Sequence, residues 1–276
     1  MNLEEVYETV TPSIVAFGSK IARATDGVGP PFPDLIGTGF FVDSRGIVVT
    51  NRHVAEELLK LPARPATGES SAFALVSSGV KEEGEGHGLS AAMIDLKRID
   101  IISSFESERD DYYGDPLPDI AFIQLDVRGV PALELATDYW SWRVGMPVAT
   151  AGFAMGNAAL IIYGTINSIT PLLRHGILSS VFPFPCPTPH GFTTDIMTQG
   201  GESGSPIFWT DRPVVVGLLH AGFDHTNITI ALPSLIVTEA YRAILERVPY
   251  EFDGIETLEK HFASAEPTNR ASWDPL

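Results

Sequence analysis

Short β-prone runs, each closed off by turn residues, constrain this chain more than any other feature. "GTGFFVD" (37–43), "GIVVTN" (46–51), "AFALVSS" (72–78), "IAFIQLD" (120–126) and "MPVATAGF" (146–153) lie in its first part. "LIIYGTINSI" (160–169), "PIFWT" (206–210), "PVVVGLLHAG" (213–222) and "ITIAL" (228–232) follow. β-Branched and aromatic residues fit a pleated, half-buried backbone. Many such strands separated by Gly, Pro, Asp, Asn or Ser close into a sandwich or barrel. Helical spacing is confined to "HVAEELLKL" (53–61) and to "PSLIVTEAYRAILERV" (233–248), the latter opened by Pro and Ser. The fold class is all-β with one C-terminal helix, and no solenoid-type repeat is present.

Two segments interrupt the strand rhythm. Residues 62–118 contain the Gly/Glu-rich "SSGVKEEGEGHG" and most of the acidic "ESERDDYYGDPLPD", both expected as solvated loops. Residues 174–191, "RHGILSSVFPFPCPTPHG", hold prolines that argue against a central strand there. The stretch after residue 249 is polar and is expected to pack loosely.

Composition excludes several classes. With 44% hydrophobic and 19% charged residues the chain is an ordinary globular protein rather than a disordered one. A net charge of -17 argues against nucleic acid and anionic membrane as partners, because both select clustered Lys and Arg. The single cysteine, Cys186, allows no internal disulfide. The first residues, "MNLEEVYETVTPSIVAFGSK", carry acids where a secretory leader has bases. A cytoplasmic location is the expectation.

Chemistry concentrates at three separated places. "GGESGSPIF" (200–208) sets Ser203 among glycines. "GTGFFVDSRGIVVTNRHVAEELL" (37–59) delivers His53 at the end of an apolar hairpin, and "PDIAFIQLD" (118–126) puts Asp119 just before an alternating strand. A serine hydroxyl is a poor nucleophile near neutral pH unless an imidazole takes its proton. That imidazole needs a buried carboxylate on its other nitrogen to fix its tautomer. Asp115 competes for the carboxylate role but lacks the following strand. A sharp turn at the serine would present the Gly201 and Ser203 amides together, as an oxyanion requires.

These stretches resemble the chymotrypsin-fold serine peptidases, and most of all the HtrA/Deg type of trypsin-like domain. "VGMPVATAGFAMG", "GTINSI", "TTDIMTQGGESGSPIF", "VVVGLLHAG" and "ITIALPS" extend the likeness from about residue 12 to 248. The resemblance implies two packed six-stranded antiparallel β-barrels with a cleft between them. The first would span residues 1–135, with 62–118 as an insertion. The second would span 136–249 including helix 233–248, followed by a tail over 250–276. It implies a serine endopeptidase with His53 as general base, Asp119 as its orienter and Ser203 as nucleophile. Gly201 and Ser203 would supply the oxyanion amides, and "LLHAG" (218–222) would pair with substrate backbone.

Met197, Thr198, Leu218 and His220 would line the substrate pocket. No acid sits where one would grip Lys or Arg, so an apolar or small polar side chain is expected before the cut. His220 leaves room for an acidic or amide side chain, and Asp195 reads as structural. Glu202 departs from the usual Asn or Asp, with its side chain expected to point away from the oxyanion site. No PDZ domain is expected to follow, and the N-terminus lacks the Ile-Val pair that trypsin-like zymogens insert.

The partner expected is a polypeptide substrate, with a regulatory protein or the long loops imposing latency. A second reading is a peptidase-fold binding module with an idle triad. An α/β-hydrolase is disfavoured, since that fold orders its triad Ser, acid, His along the chain. Neither cofactor nor metal is expected: His87, His175, His190, His225 and His261 lack ligand-like spacing with one another or with Cys186.

Overall fold

The computed structural model describes residues 1–20, 34–65, 67–83, 86–107, 114–137, 142–154, 161–162, 165–166, 170–222 and 226–264. A capped helix opens the chain: α1, Leu3–Val10, in which the Asn2 side chain and the Glu5 backbone and carboxylate close a reciprocal capping box. Six strands then form a closed antiparallel barrel: β1 (Ile14–Ser19), β2 (Asp34–Asp43), β3 (Ile47–Thr50), β4 (Ala72–Glu83), β5 (Gly86–Ile101) and β6 (Ala121–Leu125). Between β3 and β4 lies the short helix α2, Arg52–Leu59.

The second half repeats the plan. After β7 (Glu134–Leu135) come β8 (Pro147–Gly152), β9 (Ile161–Ile162), β10 (Thr165–Ile166), β11 (Leu172–Phe182), β12 (Gly191–Thr194), β13 (Pro206–Trp209), β14 (Val214–Gly222) and β15 (Thr229–Pro233). The ring runs β8–β11–β12–β15–β14–β13 and closes where β13 meets β8. β7 adds to β14 in parallel, and β9 pairs with β10 as a separate ribbon. Two helices follow, α3 (Ser234–Arg247) and α4 (Leu258–Ser264). No helix among the described residues is long and apolar enough to cross a membrane.

The strands read as continuous apolar runs because both faces are covered. Along β1, Ile14 and Ala16 face a cluster shared by both barrels, while Val15 and Phe17 face the interior of the first. The shared cluster joins Phe40, Val49 and Phe122 of one barrel to Ala149, Ala151, Phe208 and Leu218 of the other. Val6 and Val10 of α1 and Ile236, Val237 and Ala240 of α3 cover it. A separate cluster around Trp142, Phe192 and Trp209 fills the second barrel. The period of two predicts such a division, one face inward and one toward the partner layer.

Three expectations are corrected. "SSGVKEEGEGHG" is mainly strand: β4 and β5 pair from Phe73↔Asp95 out to Glu83↔Gly86. Its polarity does not interrupt the pairing. Residues 174–182 belong to β11, which is flanked by β8 and β12, and the prolines begin only at Pro183, past its end. Of the stretch after residue 249, the described residues up to 264 are anchored, with Ile255 and Leu258 buried and Arg128 paired with Thr257. The guanidinium of Arg45 stacks over Phe252.

Candidate functional site

The end of β3 builds the first half of the site. Asn51 caps α2 without a side-chain bond to the helix; its Nδ2 instead donates to the Asp119 carbonyl at 3.0 Å. Arg52 Nη2 donates to the Leu117 carbonyl at 2.9 Å. The His53 backbone N–H, which has no intrahelical acceptor in this first turn, donates to Asp119 Oδ1 at 3.0 Å. The His53 ring places Nδ1 2.7 Å from Asp119 Oδ2. Three consecutive residues thus fasten the segment before β6 to a helix N-terminus, where a carboxylate is favoured.

Asp119 is buried, at 8% exposure, and accepts a further bond: His220 Nδ1 lies 2.9 Å from the same Oδ2. Burial pushes its pKa up, but hydrogen bonds from His220 and His53 outweigh this and hold it well below the usual carboxylate range. The hydrogen bond to Asp119 raises the His53 pKa; burial opposes it, and the charges of Asp119, Glu57 and Glu56 add to the rise.

The serine turn comes from the second barrel and is pinned by the first. Gln199 accepts from Glu202 N–H at 3.2 Å and Glu202 accepts from Ser205 N–H at 2.9 Å. The third residues of these two consecutive turns, Gly201 (φ 93) and Gly204 (φ 86), take left-handed conformations that glycine adopts without penalty. Thr38 of β2 reaches across. Its N–H donates to the Ser203 carbonyl at 2.9 Å and its Oγ1 to the Gly201 carbonyl at 2.7 Å. Thr50 Oγ1, three residues before His53, donates to the Thr38 carbonyl at 2.6 Å. The turn is therefore tied to the strand that ends at the histidine.

Among the described residues neither the Gly201 nor the Ser203 amide N–H is donated to an acceptor. No hydrogen bond joins Ser203 Oγ to the His53 ring.

Glu202 is fully buried. Its Oε2 accepts from Gln199 N–H at 2.7 Å, and Arg174 Nε lies 3.1 Å from Oε1. Burial pushes the Glu202 pKa up, against the Gln199 bond and the Arg174 charge. Arg174 Nη1 also donates to the Met197 carbonyl at 2.5 Å, so one guanidinium braces both ends of residues 197–202. Removing it strands a buried carboxylate. Arg174→Ala is expected to lose about 3 kcal/mol in urea unfolding, and Glu202→Gln in that background to recover part of it.

The expected pocket residues separate. Met197 is exposed, and Thr198 shares a 2.9 Å hydroxyl contact with Thr229 while facing Gly222. Leu218 is fully buried in the cluster between the barrels and lines no cleft. Simple alternation along β14 would put Leu218 and His220 on one face. A register shift against β15 between Leu219 and Ala221 breaks that parity and turns His220 to Asp119. Asp195 accepts from Ile177 N–H at 2.6 Å, a structural bond to β11. His225 lies outside the described residues. Sequence reasoning missed Thr38, whose signal was its place in "GTG", and the Arg174–Glu202 pair, for which no local signal exists.

Two antiparallel barrels with a histidine–carboxylate pair on one and a glycine-flanked serine on the other define the class of chymotrypsin-like folds. The trypsin-like peptidase domain family model matches residues 37–218. The chain belongs to that family. No curated protein matches it. Among solved structures it is similar to the serine endoprotease from Yersinia pestis, at 16% identity and a TM-score of 0.55, covering 89% of this chain and 67% of that one. It is also similar to the HtrA-type protease AlgW with a decapeptide, at 15% identity and 0.57, covering 89% and 68%. At such identity the likeness is one of fold.

Proposed function

We propose that the protein is a serine endopeptidase acting through an acyl-enzyme. Ser203 Oγ attacks the peptide carbonyl while His53 Nε2 takes its proton. The amides of Gly201 and Ser203 hold the oxyanion, and His53 then protonates the leaving amine. The carrying observation is the doubly held carboxylate: Asp119 accepts both the backbone N–H and the Nδ1 of His53, which leaves Nε2 as the basic nitrogen. The two undonated amides beside Ser203 support the oxyanion role. The substrate is a polypeptide, and latency under a regulatory partner fits the missing Ser203–His53 bond.

That missing bond also favours the second reading, a binding module with an idle triad. Catalytic hydrogen bonds of this kind tighten when substrate engages, so activity separates the two. Denatured casein is expected to be cut by the wild-type chain and not by His53→Ala. Intact casein with both proteins, together with no fluorophosphonate label on Ser203 of the wild type, would sink the endopeptidase.

The raised His53 pKa sets the pH dependence. Only the neutral ring can accept the serine proton, so kcat/KM is expected to fall as pH drops through a value above about 6.5, the unperturbed imidazole pKa. An acid limb centred below that value would contradict the Asp119–His53 coupling.

A further inference from the structure

Asp119 carries two imidazoles. We propose that His220 is a positioning residue of this site, sharing one carboxylate oxygen with the general base and thereby setting how strongly that base holds its proton. The inference rests on the endopeptidase reading above and assigns His220 a role other than lining the substrate pocket.

The geometry supports it in three ways. A carboxylate oxygen only accepts, so each ring within hydrogen-bond distance of Oδ2 must present an Nδ1–H. Both neutral rings are thereby locked in the same tautomer, each with Nε2 as its basic nitrogen. Next, the bulge that turns His220 inward sits at this residue, between Leu219 and Ala221; bulges re-aim side chains beside active sites. Finally, the His220 side chain keeps 36% of its surface exposed, so the ring reaches Asp119 from the solvent side rather than from within a packed core.

One carboxylate oxygen serves two donors. By donating to Oδ2, His220 draws on the same lone pairs and weakens the pull of Asp119 on the His53 proton.

Among the described residues, the ionisable groups on the segments that build the site are Arg52, Glu56 and Glu57 of α2, Asp115 before β6, and Glu202 of the serine turn with its partner Arg174. β14 contributes none besides His220, and β3 and β13 contribute none. All of these stay constant when only His220 is changed.

The test is the pH profile of inactivation by a fluorophosphonate, separated into kinact and KI, for wild type, His220→Leu and His220→Asn. His220→Leu gives His53 sole use of Oδ2. Its acid limb is expected to move up by about half a pH unit or more, with kinact at the plateau reduced several-fold and KI unchanged. The Asn amide can donate from near the Nδ1 position, so His220→Asn is expected to restore most of kinact and to bring the acid limb back toward the wild-type value. Unchanged limbs in both variants, or a raised KI with kinact intact, would overturn the proposal in favour of a pocket residue.

If His220→Leu fails to fold, nitrogen-15 spectra of the wild-type rings decide. An Nδ1–H on both rings supports the proposal; a deprotonated His220 Nδ1 overturns it. Wild type that never labels instead defeats the endopeptidase reading itself, and this role with it.

Discussion

Ser203→Ala is expected to lower peptide hydrolysis by about five orders of magnitude while leaving the fold intact. The size follows from what is removed. Without the hydroxyl no acyl-enzyme forms, and only binding and the oxyanion amides are left to favour attack by water. The fold should tolerate the change, because the turn is held by main-chain bonds and two glycines, not by the Ser203 side chain. Gly204 N–H donates to the Leu219 carbonyl, Ser205 N–H to Glu202, and Thr38 N–H to the Ser203 carbonyl. His53→Ala should cost nearly as much, and the double variant scarcely more, since the two groups act as a unit. Rates on casein across the three variants and wild type, with circular dichroism to verify folding, check this. A double variant far worse than either single would mean that the residues act independently.

Gly204→Ala carries the second large effect, this time on stability. The position has φ 86, which an L-residue adopts only under strain. An added Cβ would lie 2.1 Å from the Thr38 carbonyl oxygen and 2.4 Å from Thr50 Oγ1. Neither can retreat cheaply, because the Thr38 carbonyl accepts from Thr50 Oγ1 and both lie on the strands that lead to His53. Strain and overlap together are expected to cost roughly 3 to 5 kcal/mol. Gly200→Ala is the control: a Cβ there meets nothing within 4 Å, and no left-handed φ is required. Urea unfolding of the pair should show a large loss for one and little change for the other. Equal midpoints would mean that the serine turn does not dock on the first barrel as described.

What the sequence revealed follows from how local each signal is. Strand periodicity, the glycine-bracketed Ser203, and the His53 and Asp119 positions at strand ends are read from neighbours in the chain. The C-terminal helix was expected over 233–248 and is found as Ser234–Arg247. Long-range features were hidden. The charged hairpin tip of β4 and β5 reads as loop because its Gly and Glu residues lack a strand pattern, although its ladder is continuous from Val80 to Glu83. Arg174 and Glu202 are far apart in sequence, and only folding of the second barrel makes them partners. His220 was drawn to the cleft by β14's location, but a bulge decides which way its ring points, and a bulge has no period to read.

Mass spectrometry of the protein after exposure to a fluorophosphonate near pH 8 tests the Ser203–His53 chemistry most directly. One adduct is expected, mapped to the peptide containing Ser203, and its loss in Ser203→Ala and His53→Ala. An adduct on any other residue, or persistence of the label in Ser203→Ala, would contradict it.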